Sequence, residues 1–318
     1  MKALKEMVKD EVAGDPMSER KWIRRSLRKL SDMLDKEGYA ISHWTVKRLL
    51  RKEKFRLKGN NKRFTGPPHP ERDRQMRYIQ RVIRLFRANG HPIISVDTKK
   101  KELIGNFANA GRVWCQEAEQ VNAHDFLQDA LVRAVPYGLY DLTHNQGYLS
   151  IGTSADTSEF AVDTILQWWR EPDRPRFPDE RILLILCDAG GSNHYRYRLW
   201  KQQLQEKLAD AFGIPVMVCH YPTGASKWNP IEHRLFSFIS LNWAGKPLRT
   251  LDTMLGLLNQ TTTSTGLTVK ASLIDRRYQK GIQVSQEVWD SLLLKHRPIC
   301  PLWNYIIFPR SAAALNQL

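Results

Sequence analysis

The sequence has 318 residues, a length that predicts about two domains at roughly 100–200 residues each. Of these residues 42% are apolar and 26% charged, a composition typical of a folded chain and not of a disordered protein. No apolar stretch approaches the roughly 20 residues needed to cross a bilayer, and the charged N-terminus lacks the features of a secretory signal, so we expect no membrane partner. Residues 1–90 carry 25 Lys and Arg against 11 Asp and Glu, or +14 of the total net charge of +16, which is typical of a polyanion binder, the alternative being a solubilising tail.

The first predicted elements are two amphipathic helices. Within residues 18–37 apolar side chains recur at steps of four, three and four, which predicts one apolar stripe of a helix; they are Ile23, Leu27, Leu30 and Leu34. We expect Ser18 to cap this helix and Gly38 to end it. A second helix follows a short turn, with Ser42 as its cap. The predicted inward face of this second helix consists of Val46, Leu49 and Leu50.

The basic residues of this helical pair lie off the apolar stripes, where they face water or phosphate. Two helices joined by a tight, Gly-containing turn are typical of a helix-turn-helix, in which the second helix enters the major groove. We therefore predict an all-α DNA-binding region over residues 1–58, with a plain helical packing hairpin as the alternative. The candidate DNA contacts are Arg24, Arg25, Arg28, His43, Trp44, Lys47, Arg48, Arg51 and Lys52.

Residues 59–90 are predicted to form a basic linker and an arginine-rich helix. Residues 54–70 lack periodicity and contain Gly, Asn and three Pro, which indicates either a DNA-contacting wing or a solvated loop. Between residues 71 and 89, inward apolar side chains and a stripe of arginines predict a helix that Gly90 ends. Such a stripe is usually a solvated face, and phosphate contact is the second interpretation. The candidate DNA contacts here are Lys58, Lys62, Arg63, Arg77 and Arg81.

From residue 91 the pattern changes to alternating strands and helices. Short apolar runs predict strands at residues 91–97, 132–143, 147–153, 181–188 and 214–221, and helical periodicity predicts helices at 157–170, 195–212 and 229–240. This order predicts an α/β domain over residues 91–246, with a mixed sheet flanked by helices. The run 181–188 is apolar on both faces, as expected of a central parallel strand. Residues 247–318 are predicted to form a C-terminal extension that packs on this core.

Three acidic residues lie where this domain can bring them together. Asp97 ends the first strand, Asp188 ends the central strand, and Glu232 lies in the helix after the last strand. Because clustered carboxylates repel one another, they need cations to neutralise them. Hard oxygen ligands suit Mg²⁺ or Mn²⁺, and two such ions about 3.5–4 Å apart can support an in-line displacement at a phosphodiester.

Several residues near these acids have two interpretations each. Lys99 and the pair Lys227 and Trp228 are candidate DNA contacts, although simple solvation explains the lysines equally well. We expect Ser192 and Asn193 to cap the following helix.

Histidines and cysteines are expected to have structural roles. His220 and His233 flank the third acid, and a site organised on carboxylates favours hydrogen bonding or DNA contact over metal ligation. The cysteines at 115, 187, 219 and 300 are too far apart in sequence for a zinc knuckle. We expect reduced thiols in a cytoplasmic, nucleoid-associated protein, with Cys187 and Cys219 buried.

Several long motifs resemble those of a known family. The segments SVDTKKKELIGNFANAGR, VNAHDF, PYGLYDL, DAGGSN, HYPTGASKWNPIEHRLFSFIS and TTTSTGL are similar to those of the DDE transposases of the ISAzo insertion-sequence family, also described by a Rhodopirellula-type transposase domain. The resemblance runs from about Gly14 to Tyr305. The Asn-Pro-Ile-Glu stretch is also similar to the broader mariner-like transposases, in which the Glu is the third acid.

The resemblance implies a fold and a chemistry. It implies a ribonuclease-H-like core in which Asp97, Asp188 and Glu232 are both the catalytic acids and the metal ligands. Family members carry a further helical DNA-binding segment ahead of the position that matches Met1, so we expect this sequence to be a shortened or late-starting form.

These observations together predict a DNA transposase of an insertion sequence. It would bind double-stranded DNA at element ends and target and use two Mg²⁺ or Mn²⁺ ions. With them it would hydrolyse a phosphodiester and then join the freed 3′-OH to target DNA. Because two ends are handled together, we expect a homodimer or higher assembly on DNA. The alternatives are a ribonuclease-H-like nuclease without strand transfer and a non-enzymatic DNA-binding regulator.

Overall fold

The chain divides into two compact units, residues 1–65 and residues 66–318. The computed structural model describes residues 12–14, 21–23, 26–57, 69–113, 115–225 and 228–310. Among the helices formed by these residues, none combines the length and the apolar character needed to traverse a bilayer.

The first unit contains two short strands and two helices. Strands β1 (Val12–Gly14) and β2 (Lys21–Ile23) pair antiparallel. Helices α1 (Leu27–Lys36) and α2 (His43–Lys52) follow. The two helices fit the predicted helix-turn-helix-like arrangement, whereas the strands were not predicted, so the region is not all-α.

The prediction for the start of the first helix was wrong. The helix predicted over residues 18–37 begins at Leu27, and Ser26 caps it by accepting a hydrogen bond from the Lys29 N–H at 3.2 Å. Ile23 lies in β2 and not on the apolar stripe. Local periodicity cannot detect a strand pairing with residues about ten positions away, because that pairing depends on non-local hydrogen bonds. Ser18 lies outside the described residues.

The rest of the helical pair was predicted correctly. The Ser42 hydroxyl caps α2 by accepting from the Thr45 N–H at 3.3 Å. Gly38 follows α1 with φ of +85°, a conformation that favours glycine at a helix end. The apolar side chains of the two helices form one core, in which Leu30, Leu34 and Val46 are buried.

The second unit is built on a mixed sheet, which has nine strands within the described residues. The strands are β3 (Ile93–Thr98), β4 (Glu102–Ile104), β5 (Val132–Asp141), β6 (Gln146–Gly152), β7 (Leu183–Asp188), β8 (Val216–Tyr221), β9 (Thr268–Ile274), β10 (Leu294–His296) and β11 (Asn304–Ile307). Their order is β10-β11-β8-β7-β3-β5-β6-β9, with β4 paired to β5. Strands β3, β7 and β8 are parallel, and β3, β5 and β6 are antiparallel neighbours. The central order β6-β5-β3-β7-β8 is ribonuclease-H-like, as predicted.

Helices cover both faces of this sheet. They are α3 (Arg72–Ala88), α4 (Ser158–Arg170), α5 (Arg198–Leu204, continued in π geometry to Asp210), α6 (Glu232–Phe236 in π geometry, continued as α-helix to Asn242), α7 (Leu251–Asn259) and α8 (Gln286–Asp290). Alternate residues of the central strands contribute to opposite cores. Helices α4 and α5 pack on one face, and α3, α6 and α7 pack on the other.

The strands and helices predicted between residues 91 and 246 are present in the predicted order, with one additional strand, β4, after the first. Trp168 and Trp169 of α4 are buried in the core between that helix and the sheet, as is Cys187 of β7. Cys219 is buried on the opposite face of the sheet. The arginine-rich helix is also confirmed: Ile79, Val82, Ile83 and Phe86 of α3 pack against the sheet.

Two features of the second unit were not predicted. Strand β4 lies in what was read as a long connection between the first two strands. The C-terminal residues also extend the sheet at both edges, with β9 beside β6 and β11 beside β8.

Candidate active site

Two of the three predicted acids end neighbouring parallel strands. Strands β3 and β7 pair in parallel with Val96 opposite Cys187, so the next residues, Asp97 and Asp188, lie side by side at strands about 4.8 Å apart. Residues two apart on a strand share a face, and the Ser95 hydroxyl, two residues before Asp97, accepts from the N–H of Ile231, the residue just before α6. Both acids therefore point towards the face of the sheet that carries α6.

A buried hydrogen-bond relay fixes the start of α6, which carries Glu232. The Ser95 hydroxyl donates to Asn229 Oδ1 and accepts from the Ile231 N–H at 3.2 Å. The Asn229 side chain in turn donates from Nδ2 to Asp188 Oδ1 at 3.2 Å. Ser95 and Asn229 are fully buried, so this relay ties β3, β7 and the beginning of α6 together just ahead of Glu232.

Glycine in β5 lets the same helix approach the sheet closely. Gly138 is paired with Asp97, and a Cβ atom at this position would lie 2.5 Å from Phe236 Cε1 and 3.1 Å from Ile231 Cδ1. A Cβ atom at Gly147 would likewise overlap the side chain of Leu235. The backbone of α6 can sit against the sheet beside Asp97 because these two positions lack side chains.

The three carboxyl groups interact electrostatically. Burial, followed by the neighbouring charge of Asp188, raises the pKa of Asp97 to about 8. Burial and the charge of Glu232 raise the pKa of Asp188 to about 6. Burial also raises the pKa of Glu232. Asp97 responds to both other acids, so the structure brings all three predicted residues within electrostatic range of one another.

The chemistry of this donor set fits hard divalent cations. Lys99 and His233 lower the pKa of Glu232 electrostatically, but burial outweighs them, so the repulsion among the three acids is not fully offset. A bound cation would offset it and would lower these raised pKa values. Within the described residues no three His, Cys, Asp or Glu side chains are placed to hold a single ion together.

A second buried hydrogen-bond network contacts the main chain of Asp188. His220 is fully buried and its pKa is lowered to about 3 by burial, so its ring is neutral. Its Nδ1 lies 3.0 Å from the Asp188 carbonyl oxygen, and its Nε2 lies 3.0 Å from the Tyr305 hydroxyl, which accepts from Trp200 Nε1 at 3.0 Å. Since a carbonyl only accepts, Nδ1 carries the proton and Nε2 accepts. The expectation that His220 forms hydrogen bonds is thus confirmed.

Comparison with known proteins decides the family. The family model described as the Rhodopirellula transposase DDE domain matches residues 3–309. The chain belongs to this transposase family. No curated protein matches the chain.

Distant similarity extends to solved structures of the Mos1 transposase. The Mos1 paired-end complex with the left transposon end is 13% identical, with a TM-score of 0.43, and the match covers 81% of this chain and 69% of that one. The Mos1 strand transfer complex is 12% identical, with a TM-score of 0.45 and coverage of 81% and 69%. The Mos1 mariner paired-end complex with Mn is 10% identical, with a TM-score of 0.43 and coverage of 82% and 70%.

Apart from Lys99, the predicted DNA contacts of the transposase fall into three groups. Those with exposed side chains are Arg28, Trp44, Arg48, Arg51, Lys52, Arg77, Arg81 and Trp228, and those with partly buried side chains are His43 and Lys47. Those outside the described residues are Arg24, Arg25, Lys58, Lys62, Arg63 and Lys227.

Lys99 differs from the other predicted contacts because its side chain is buried. Its Nζ lies 3.3 Å from Glu102 Oε1 and 4.4 Å from the centre of the Trp243 ring, and burial lowers its pKa. Lys99 thus packs beside the site, and its contact with DNA stays a prediction.

The capping role predicted for Ser192 and Asn193 was wrong. The N-cap position of α5 is Tyr197, which makes no side-chain capping bond, and Gly191–Asn193 form a 3-10 turn of their own. The Gly191 φ of +69° turns the chain sharply after β7, so the next helix begins too late for these residues to reach it. The Ser192 carbonyl instead accepts a hydrogen bond from the Ser158 hydroxyl at 2.6 Å.

Sequence reasoning missed a fourth carboxylate beside the acids. Asp156 contributes to the raised pKa of Asp97, accepts from the Thr98 hydroxyl at 3.2 Å and lies 3.5 Å from Lys101 Nζ. It precedes a helix start in a turn-like segment, so its sequence context predicts only a loop. Ser95, Asn229 and Gly138 were also missed, since their roles depend on contacts between segments far apart in sequence.

Proposed function

We propose that this transposase is a metal-dependent enzyme that cleaves a DNA phosphodiester and transfers the resulting 3′-OH to target DNA. The observation that carries the proposal is the meeting of Asp97 and Asp188 at neighbouring parallel strand ends, with Glu232 held beside them by the relay through Ser95 and Asn229. These three acids are proposed as the catalytic residues and the metal ligands.

Two Mg²⁺ or Mn²⁺ ions are proposed as cofactors, which the carboxylate oxygens of Asp97, Asp188 and Glu232 would hold. When bound, ions of this kind activate a water or hydroxyl and neutralise charge on the leaving oxygen. The side chains would supply oxygen ligands, and the relay through Ser95 and Asn229 would hold the second and third ligands in a fixed relation.

The first unit is proposed to hold the element ends. Helix α2 presents the exposed cations Arg48, Arg51 and Lys52 together with the exposed ring of Trp44. Phosphate contacts from such residues supply most of the affinity of DNA binding and depend strongly on salt. We propose double-stranded DNA as the partner, a dimer or higher assembly as the active form, and the nucleoid in the cytoplasm as the location.

We propose the domain organisation predicted from the sequence. It assigns residues 1–58 to DNA binding, 59–90 to the basic linker and arginine-rich helix, 91–246 to catalysis and 247–318 to a C-terminal extension.

Replacement of the third acid tests the enzymatic proposal. We expect Glu232→Gln to slow Mg²⁺-dependent cleavage of element-end DNA by about a thousand-fold or more, since a neutral amide is a poor ligand for these ions, and to leave DNA affinity within two-fold of the parent. The exposed Glu206→Gln, with the same charge change, is the control. Equal cleavage by Glu232→Gln and the parent at saturating Mg²⁺ would remove Glu232 from the site.

Strand transfer is tested with labelled 3′ ends. We expect the label to appear covalently joined to target DNA, which a nuclease of the same fold would not produce. Absence of any Mg²⁺-dependent cutting would support a DNA-binding regulator instead.

A further inference from the structure

An open groove of about 690 Å³ begins beside the candidate active site. One wall is the segment that follows the turn after β7 and includes Arg196, Tyr197 and Arg198, and the facing wall includes Lys280. Asp156 lines the groove and also accepts a hydrogen bond from Thr98, next to Asp97. Because Thr98 and Asp97 are adjacent on β3, they point to opposite faces of the sheet. The groove therefore opens at the same edge of the sheet as the proposed catalytic acids, on the face that carries α4 and α5.

The cations of the groove are available to an external anion. Within the described residues, Arg196, Arg198 and Lys280 have no carboxylate at ion-pair distance. Neutral partners orient Arg198: its Nη1 donates to Gln286 Oε1 at 2.9 Å, and its guanidinium lies 4.9 Å from the Trp289 ring centre.

The only acid lining the groove within the described residues is already paired. Asp156 lies 3.5 Å from Lys101 Nζ and accepts from the Thr98 hydroxyl. The groove lining therefore carries an excess of positive charge that favours a polyanion.

Aromatic rings alternate with these cations. The His194 ring stacks on Tyr195 at 4.6 Å and 18°, and it lies 5.1 Å from the Tyr197 ring. Tyr197 is 50% exposed, and its backbone N–H donates to the His194 carbonyl oxygen at 2.9 Å. An exposed ring on a fixed support, flanked by arginines, is suited to stack on an unpaired base while the arginines contact the adjoining phosphates.

We propose that this groove binds a single strand of DNA leading from the active site, with one base on Tyr197 and phosphates on Arg196, Arg198 and Lys280. A duplex fits these observations less well. Its bases are stacked on one another, so no base face is free to stack on the Tyr197 ring. The direction of the strand towards the acids rests on the proposed function, whereas strand binding itself does not.

Binding of oligothymidylate to the full chain in EDTA tests the groove without any cleavage. We expect Tyr197→Ala to weaken binding of a 12-nucleotide single strand roughly ten-fold and to leave binding of a 12-base-pair duplex unchanged. Tyr197→Phe should bind as the parent does, because it keeps the ring. Salt dependence is measured as the slope of the logarithm of the binding constant against the logarithm of the salt concentration. The double variant Arg196→Gln with Arg198→Gln should reduce the size of this salt slope by about 1.4, at roughly 0.7 for each phosphate contact to a single strand.

Arg170→Gln, which removes one positive charge outside the groove, is the control for loss of charge alone. Arg170 ends α4, the helix whose first residue lines the groove, and is about 18 Å away along a helix that rises 1.5 Å per residue. We expect its salt slope to equal that of the parent. Thermal unfolding of each variant identifies those that fail to fold.

Photocrosslinking of the parent tests the same contact without a substitution. We expect a strand containing 5-iododeoxyuridine to crosslink to the peptide that carries Tyr197. Crosslinks confined to other peptides, or equal loss of single-strand and duplex binding in folded Tyr197→Ala, would overturn the proposal. Because both measurements are made without Mg²⁺, a failure of the groove is distinguishable from a failure of cleavage.

Discussion

The close approach of α6 to the sheet at Gly138 provides a demanding prediction. A Cβ atom in Gly138→Ala would lie 2.5 Å from Phe236 Cε1 and 2.8 Å from its Cζ, whereas ordinary contacts between carbon atoms begin at about 3.5 Å. Because Phe236 is buried, its ring and the helix that carries it must together move by about 1 Å, and Glu232 lies one turn before Phe236 on this helix. A displacement of about 1 Å at a reacting centre can cost roughly 100-fold in rate, and overpacking costs about 1–3 kcal/mol.

Two measurements on Gly138→Ala check this reasoning. We expect the rate of Mg²⁺-dependent DNA cleavage to fall about 100-fold. The melting temperature should fall by about 2–12 °C, at roughly 2–4 °C per kcal/mol for a domain of this size. DNA affinity should be unchanged. The change Phe236→Leu, added to Gly138→Ala, should restore part of the rate by removing the ring that the new methyl group meets.

Gly256→Ala is the matched control. Gly256 lies within α7, and a Cβ atom there would have nothing within 4 Å, so we expect full activity and a gain of about 0.5–1 kcal/mol from helix propensity. Cleavage by Gly138→Ala at the rate of the parent would refute the claim that this glycine positions Glu232.

Three further predictions concern stability and DNA binding. Folding raises the pKa of Asp97 from 3.8 to about 8, so the stability of the metal-free protein should fall as pH rises from about 4 to about 8. Asp97→Asn should therefore raise the melting temperature of the metal-free protein at pH 8, and an unchanged or lower melting temperature would contradict this. Ser95→Ala should cost about 1–3 kcal/mol in urea unfolding, because the buried Asn229 loses its donor, and an unchanged midpoint would remove the relay. Arg48→Ala with Arg51→Ala should weaken duplex binding and lower its salt slope by about 1.8; an unaltered slope would place both residues outside the interface.

The positions of the first two acids could be predicted because local pattern was sufficient. Asp97 and Asp188 each follow an apolar run that is long enough for a buried strand and too short for a helix, and parallel strands end at one edge of a sheet. Glu232 could be placed in a helix because Pro230 marks the first turn.

The rest depended on contacts that sequence pattern does not contain. The residues around Gly138 in the sequence do not indicate that Phe236 occupies the space above it. Likewise, the pattern around Ser95 predicts only a strand residue, and its hydrogen bond to Asn229 is seen only in the folded structure. Strand β2 was read as helix because Ile23 happens to precede Leu27 by four residues. Aromatic and basic residues alternate from His194 to Arg198 in the sequence. The sequence does not show that three residues of this segment line a groove, which only the structure reveals.

The most direct test of the central claim is a crystal structure of the transposase grown with Mn²⁺ and measured at the manganese absorption edge. The account predicts two anomalous peaks about 3.5–4 Å apart, both bound by carboxylate oxygens drawn from Asp97, Asp188 and Glu232. Manganese bound elsewhere at saturating concentration, or a Glu232 carboxylate that contacts neither ion, would contradict it.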